Sequence, residues 1–194
     1  MKDRTIFLQW VRATWIGWVL GIPAIIVLAL IGEGVGIGGS QVLVGAGMGA
    51  GLGFMQGRVM RAVLQKFAPW FWSCAVGLAV PFLAWDIANA AKLNVTYSLF
   101  VCVASGGLIV GVWQAFLLRT RFPRAGWWVL ANAAGWLAAA GLAKIAETLP
   151  RSQSLRGIGG ALAYLGMVTG GGLILGLVTG VPMVWLRRQD GAAQ

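Results

Sequence analysis

The chain has 194 residues, of which 59% are hydrophobic and a further 30 are glycine. Roughly three quarters are therefore apolar or glycine, against about half in soluble domains, which excludes an ordinary soluble globular protein. Charged residues make up only 10%, split into 15 Lys and Arg against 5 Asp and Glu for a net charge of +10, and histidine is absent, which removes the commonest metal ligand, the usual haem ligand and the favoured general base near neutral pH.

A membrane-spanning helix needs about 20 mainly apolar residues. Six such stretches occur, at 14–32, 40–59, 70–91, 97–118, 126–147 and 158–186. Together they predict an all-α integral membrane protein with one polytopic domain over 1–194. The loops between them are too short for a separate catalytic domain.

The first span follows Met1-Lys2-Asp3-Arg4. Its apolar part is long and no small-x-small cleavage site follows Leu30, so it reads as a span and not as a signal peptide. The loop Gly34-Val-Gly36-Ile-Gly38-Gly39 formally fits G-x-G-x-x-G. That fingerprint requires a preceding strand and a βαβ unit, so no dinucleotide site is expected between two spans.

Span two carries Gly45, Gly49 and Gly53 at i, i+4 spacing, with Gly47 and Gly51 on roughly the opposite face, and ends on Gln56 and Arg61. Span three opens Ala68-Pro69-Trp70-Phe71-Trp72 and carries Cys74, then Asp86 and Asn89 near its far end. Asn94-Val95-Thr96 has the pattern of a glycosylation sequon. Span four holds Cys102 and ends with Gly107, Gly111, Gln114 and Arg119; span five opens with Trp127-Trp128 and contains Asn132, Lys144 and Glu147. Span six repeats the glycine stripe as Gly172, Gly176 and Gly180.

The cations set the orientation. Lys2, Arg4, Arg12, Arg58, Arg61, Lys66, Arg119, Arg121, Arg124, Arg187 and Arg188 fall on one side of the predicted spans; only Lys92, Lys144, Arg151 and Arg156 fall on the other. Both termini are expected in the cytoplasm, with the chain in a bacterial inner membrane. This distribution is what insertion demands, so no nucleic-acid partner is expected. Anionic lipid head groups are the expected partners of the basic segments.

Spans two and four both end G-x3-G-x2-Q-x4-R, and span six gives a looser copy: Gly176, Gly180, Met183 in the glutamine position, then Arg188. The odd spans begin alike, at Trp70 and Trp128, with Gly77 and Gly135 seven residues on, and span one starts Arg12-Ala13-Thr14-Trp15. The unit is an outward–inward hairpin repeated three times in one orientation, which predicts a pseudo-threefold bundle about an axis along the membrane normal. The pattern, best carried by Gly107 to Trp136, resembles uncharacterised bacterial multi-pass membrane proteins with repeated Gly-x3-Gly-x2-Gln-x4-Arg and Trp-Trp hairpins. That resemblance implies a membrane bundle and no particular activity.

The glycine stripes, including Gly107 and Gly111, read as close helix packing, with a dimer face or narrow substrate path as the alternative. Gln56, Gln114 and Asn132 lie inside the cytoplasmic boundary, where amides need partners. They read as interhelical bonds or, with Arg61 and Arg119, as a polar pocket for an anionic head group or small solute. Such a pocket would draw on different hairpins, because five residues turn a helix by about 140°. Asp86, Lys144 and Glu147 read as an outer-rim ion pair or snorkelling group, or else as a gate or proton step. Trp10, Trp15, Trp18, Trp70, Trp72, Trp85, Trp127, Trp128 and Trp185 read as an aromatic interface belt. Trp113 and Trp136 lie deeper, where packing or a bound pigment or lipid would hold them.

The functional expectation is a non-catalytic membrane subunit or scaffold, in a larger complex or a homo-oligomer, with no metal or cofactor. The alternative is small-molecule binding or transport, because six spans with both ends inside resemble the substrate-binding subunits of energy-coupling-factor importers. A membrane enzyme acting on lipids is the weakest reading, since no paired carboxylates and no nucleophile motif are present.

Overall fold

A computed structural model describes residues 3–93, 98–148 and 157–192, with side chains over 3–93, 98–145 and 165–186. Lys2, the Asn94-Val95-Thr96 sequon, Arg151 and Arg156 lie outside the described residues, as do the side chains of Glu147, Arg187 and Arg188. The described residues form six helices: α1 (Asp3–Gly34), α2 (Val42–Leu64), α3 (Ala68–Ala90), α4 (Leu99–Arg119), α5 (Gly126–Thr148) and α6 (Gly157–Ala192). Five are long and apolar enough to cross a membrane. The exception is α2, which has 23 residues, enough to span, but whose glycines at 45, 47, 49, 51, 53 and 57 contribute little hydropathy.

Several helices run past the expected spans. Helix α1 begins eleven residues earlier than the span at 14–32, because Arg4 and Arg12 are good helix formers and do not stop a helix. Ile6, Trp10 and Val11 along this extension are buried, so its packing also favours helix. Helix α2 likewise continues through Arg58 and Arg61 to Leu64. It ends where Gln65 turns left-handed at φ 56° and returns its N–H to the Arg61 carbonyl. Ser98 caps α4 by accepting from Val101 N at 3.3 Å. The α1–α2 turn uses Gly36 at φ 80° and Gly39 at φ 78°, so the G-x-G-x-x-G run serves a left-handed turn between helices.

Each helix packs antiparallel on the next, and α6 returns to pack on α1, which closes a ring. Glycine sets the spacing around it. Gly45, Gly49 and Gly53 lie against α3, and a Cβ on Gly53 would sit 2.7 Å from the Phe71 carbonyl. Gly47 and Gly51 face α1 at Ile25, Gly21 and Gly17, so α2 is flanked on both faces. Gly107 lies under Trp136 and Gly111 against Val129 and Asn132. Gly172, Gly176 and Gly180 face α1 at Trp18, at Val11 with Thr14, and at Phe7. One contact recurs in register. Gly53, Gly111 and Gly176 each meet the residues one and four positions after a tryptophan, namely Phe71 and Cys74, Val129 and Asn132, Val11 and Thr14.

The outward faces are apolar, with Ile26, Leu30, Val101, Phe116, Leu130 and Leu137 all exposed. Water would penalise such a surface and hydrocarbon does not. The end of the ring that carries Arg4, Arg12, Arg58, Arg61, Arg119 and Arg124 is called the basic end below.

Close approach through glycine predicts the effect of adding a side chain. Gly49→Val would drive its Cβ into the Cys74 carbonyl, and should destabilise the bundle by about 1–3 kcal/mol in reversible unfolding from mixed micelles. Gly141→Ala, where nothing lies within 4 Å, should leave stability unchanged or slightly higher. Equal effects at the two positions would contradict glycine-set packing.

Candidate functional site

Towards the basic end, Trp10 of α1, Trp70 of α3 and Trp128 of α5 meet inside the ring, with relative exposures of 0%, 0% and 1%. Their centroids lie 5.9 Å (Trp10–Trp70), 5.5 Å (Trp10–Trp128) and 5.8 Å (Trp70–Trp128) apart, all edge to face. That is the geometry aromatic quadrupoles prefer. These three were expected at the lipid interface; the structure instead packs them as a plug. Trp18 is also buried, on Trp136 at 5.7 Å, whereas Trp15, Trp72 and Trp127 are exposed.

Each of the three plug indoles donates its N–H to an acceptor on an even-numbered helix. Trp70 Nε1 donates to Gln56 Oε1 at 3.3 Å, Trp128 Nε1 to Gln114 Oε1 at 2.9 Å, and Trp10 Nε1 to Thr179 Oγ1 at 2.9 Å. The amide N–H groups continue the chain. Gln56 Nε2 donates to Thr14 Oγ1 at 3.0 Å, and Gln114 Nε2 to Cys74 Sγ at 3.2 Å. Cys74 Sγ also points at Gln56 Oε1 from 3.8 Å, and Asn132 Nδ2 donates to Gln114 Oε1 at 3.0 Å. Thr179 passes its own proton to the Leu175 carbonyl at 2.6 Å.

Gln56, Gln114 and Asn132 therefore belong to one network drawn from different hairpins, bridged by Cys74. Arg61 and Arg119 do not join it. Both are exposed, and Arg119 lies over the Phe116 ring at 5.0 Å. The expected five-residue pocket is thus divided into a buried amide network and outward-facing guanidinium groups. The glutamine-equivalent position in α6 is also corrected. Thr179 follows Gly176 by three residues, as Gln56 follows Gly53 and Gln114 follows Gly111, whereas Met183 makes no part of the network and is buried. In α1 the matching tryptophan is Trp10, not Trp15. Trp10/Thr14/Gly17, Trp70/Cys74/Gly77 and Trp128/Asn132/Gly135 share one spacing, a signal present in the sequence but obscured by the register chosen for span one.

At the opposite end, Asp86 turns to the first backbone N–H groups of α2. Its two carboxylate oxygens accept from the backbone N–H groups of Gln41 at 3.0 Å and Val42 at 2.8 Å. Gln41 supplies no side-chain cap of its own, so an acid on α3 caps α2 across the bundle, where the helix dipole favours negative charge. Lys144, at the corresponding offset from Trp128, is exposed. At the basic end, Arg121 Nη1 donates to the Val63 carbonyl in the last turn of α2.

Behind the tryptophan plug, towards the opposite end, lies an apolar cavity of about 180 Å³. All six helices contribute to its wall, through Trp18, Met48, Phe82, Val103, Trp136 and Val168 among others. Trp113, by contrast, points outward and is 37% exposed. Among the described residues no group of three His, Cys, Asp or Glu side chains could hold a metal ion. Comparison with protein-family models, with curated proteins and with solved structures returns no match.

The network predicts two costs. Gln114→Leu leaves Trp128 Nε1 and Asn132 Nδ2 buried without their acceptor, and should cost about 2–6 kcal/mol at roughly 1–3 per orphaned group. A double-mutant cycle with Asn132→Leu should show coupling above about 0.5 kcal/mol, and additivity would contradict a shared bond. Asp86→Asn weakens the anionic cap of α2 and should cost about 1 kcal/mol, with no change on the matched surface variant Lys92→Gln.

Proposed function

We propose that the protein is a non-catalytic integral membrane subunit or scaffold that packs within a larger assembly of a bacterial cytoplasmic membrane. On this reading three hairpins, α1–α2, α3–α4 and α5–α6, surround a pseudo-threefold axis along the membrane normal, and the basic end with both termini faces the cytoplasm. One observation carries the non-catalytic assignment. The buried polar side chains Thr14, Gln56, Ser73, Gln114, Asn132 and Thr179 all take part in hydrogen bonds inside the bundle. Catalysis or solute translocation calls for polar groups with unused donors or acceptors facing a ligand, and these are committed to bonds within or between the helices. The recurring glycine contacts and indole acceptors favour the hairpin repeat. The concentration of Lys and Arg at one end favours the orientation.

The central cavity favours a second reading, a binding protein for an apolar small molecule, akin in topology to the substrate-binding subunits of energy-coupling-factor importers. At about 180 Å³ it is larger than the roughly 150 Å³ apolar cavity that holds benzene in an engineered protein. Its apolar wall offers water little.

Gentle solubilisation from the native membrane separates the two. As a subunit, the 20.4 kDa chain should migrate in native gels with a larger assembly and release no stoichiometric solute on denaturation. Migration alone with a retained apolar molecule, lost on filling the cavity by Val103→Trp, would overturn the subunit reading in favour of the second.

A further inference from the structure

Two of the cations at the basic end share a groove between α1 and α2. It measures about 420 Å³, and Gln9, Arg12 and Arg58 supply its polar wall. Ala13, Ile16 and Met55 continue it towards the middle of the helices as an apolar slot. No carboxylate contributes to the lining. Arg12 and Arg58 come from neighbouring helices of one hairpin and both line this groove, the Arg58 guanidinium carbon lying 5.9 Å from the centroid of the Phe54 ring beside it. With no carboxylate in the lining, the two arginines leave the groove positively charged, which favours an anion there.

We propose that this groove binds one anionic phospholipid, with its phosphate between the Arg12 and Arg58 guanidinium groups, Gln9 donating to the glycerol or phosphate oxygens, and an acyl chain along Ile16 and Met55. Charge complementarity and wall chemistry both select this occupant. Guanidinium forks match phosphate oxygens bidentately, and the apolar slot running inward matches the chain attached to that phosphate. A free phosphate would use only the polar half. The neighbouring groove of Phe54, Arg58, Arg61 and Phe67, of about 390 Å³, lies on the α2–α3 side, and Arg61 lines it without lining the first. Arg61 therefore serves as a control. The assignment is independent of whether the chain is a subunit or a ligand-binding protein, since it concerns a surface groove at the basic end, apart from the central cavity.

Native mass spectrometry of the full-length protein in detergent, titrated with dioleoylphosphatidylglycerol or dioleoylphosphatidylcholine, tests it. One phosphatidylglycerol should be retained with at least tenfold preference over phosphatidylcholine. Arg12→Gln with Arg58→Gln should reduce that preference about tenfold, and Arg61→Gln should leave it unchanged. Both target arginines are exposed, so the variants should fold. Should they not, a photoactivatable acyl-chain phosphatidylglycerol on the wild-type protein should cross-link at Ile16 or Met55. Equal retention of the two lipids, a preference insensitive to Arg12 and Arg58, or cross-links elsewhere would overturn the proposal. Displacement of the lipid by millimolar inorganic phosphate would reassign the groove to a free anion.

Discussion

A buried indole carries one N–H that hydrocarbon cannot satisfy, and at three places in this bundle the position of the acceptor decides which helices are neighbours. Trp10 reaches α6, Trp70 reaches α2 and Trp128 reaches α4. Every one of these bonds ties an odd helix to an even helix of a different hairpin. Chain connectivity already links α1 to α2, α3 to α4 and α5 to α6; the indoles close the remaining seams. Because the rings also meet one another edge to face, displacing one disturbs its bond and both aromatic contacts. The polar and aromatic parts of the plug are therefore coupled, which a row of separate interhelical bonds would not be.

Reaching those acceptors requires the backbones to be close, and glycine provides this. Gly53, Gly111 and Gly176 each stand one turn before the acceptor, against the helix that carries the tryptophan. A Cβ there would push the helices apart and lengthen the bond that follows. In lipid, where apolar side chains gain little by leaving the solvent, close packing plus satisfied polar groups is most of what holds helices together. Both depend here on the same glycines.

Much of this was legible in the sequence. Helix number followed from apolar length, the flanking of α2 from its two opposed glycine stripes, and the interhelical bonding of Gln56, Gln114 and Asn132 from the need of amides at that depth for partners. What was not legible has specific causes. Trp10, Trp70 and Trp128 look like interface residues because they lie near span ends, and composition does not reveal whether an indole at that level points into lipid or inward; only the neighbour's acceptor does. Helix α1 was cut at Arg12 because charge marks a membrane boundary but not a helix boundary. Asp86 looked like a rim charge because its partners are backbone N–H groups of residues 44 and 45 positions away, which carry no side-chain signature.

The glutamine position of α6 shows how the arrangement tolerates variation. In α2 and α4 the amide has two tasks, accepting from an indole through oxygen and donating through nitrogen to the residue four positions after an indole, Thr14 or Cys74. Thr179 performs the first and not the second, since its single proton goes to Leu175 of its own helix. Its short side chain keeps the oxygen within reach of Trp10 because Gly176 brings α6 close to Val11 and Thr14. Asn132, which would otherwise receive that second bond, donates instead to Gln114, so its proton is not orphaned. The network thus runs from α6 through α1, α2, α3 and α4 to α5, and among the described residues none of its bonds crosses between α5 and α6. That seam rests on apolar contacts such as Gly135 with Leu175 and Gly170 with Leu142. Separating α5 from α6 would break none of the network's hydrogen bonds, whereas parting any other pair that the network joins would expose a buried donor to hydrocarbon, so the ring's resistance to opening is unequal around its circumference.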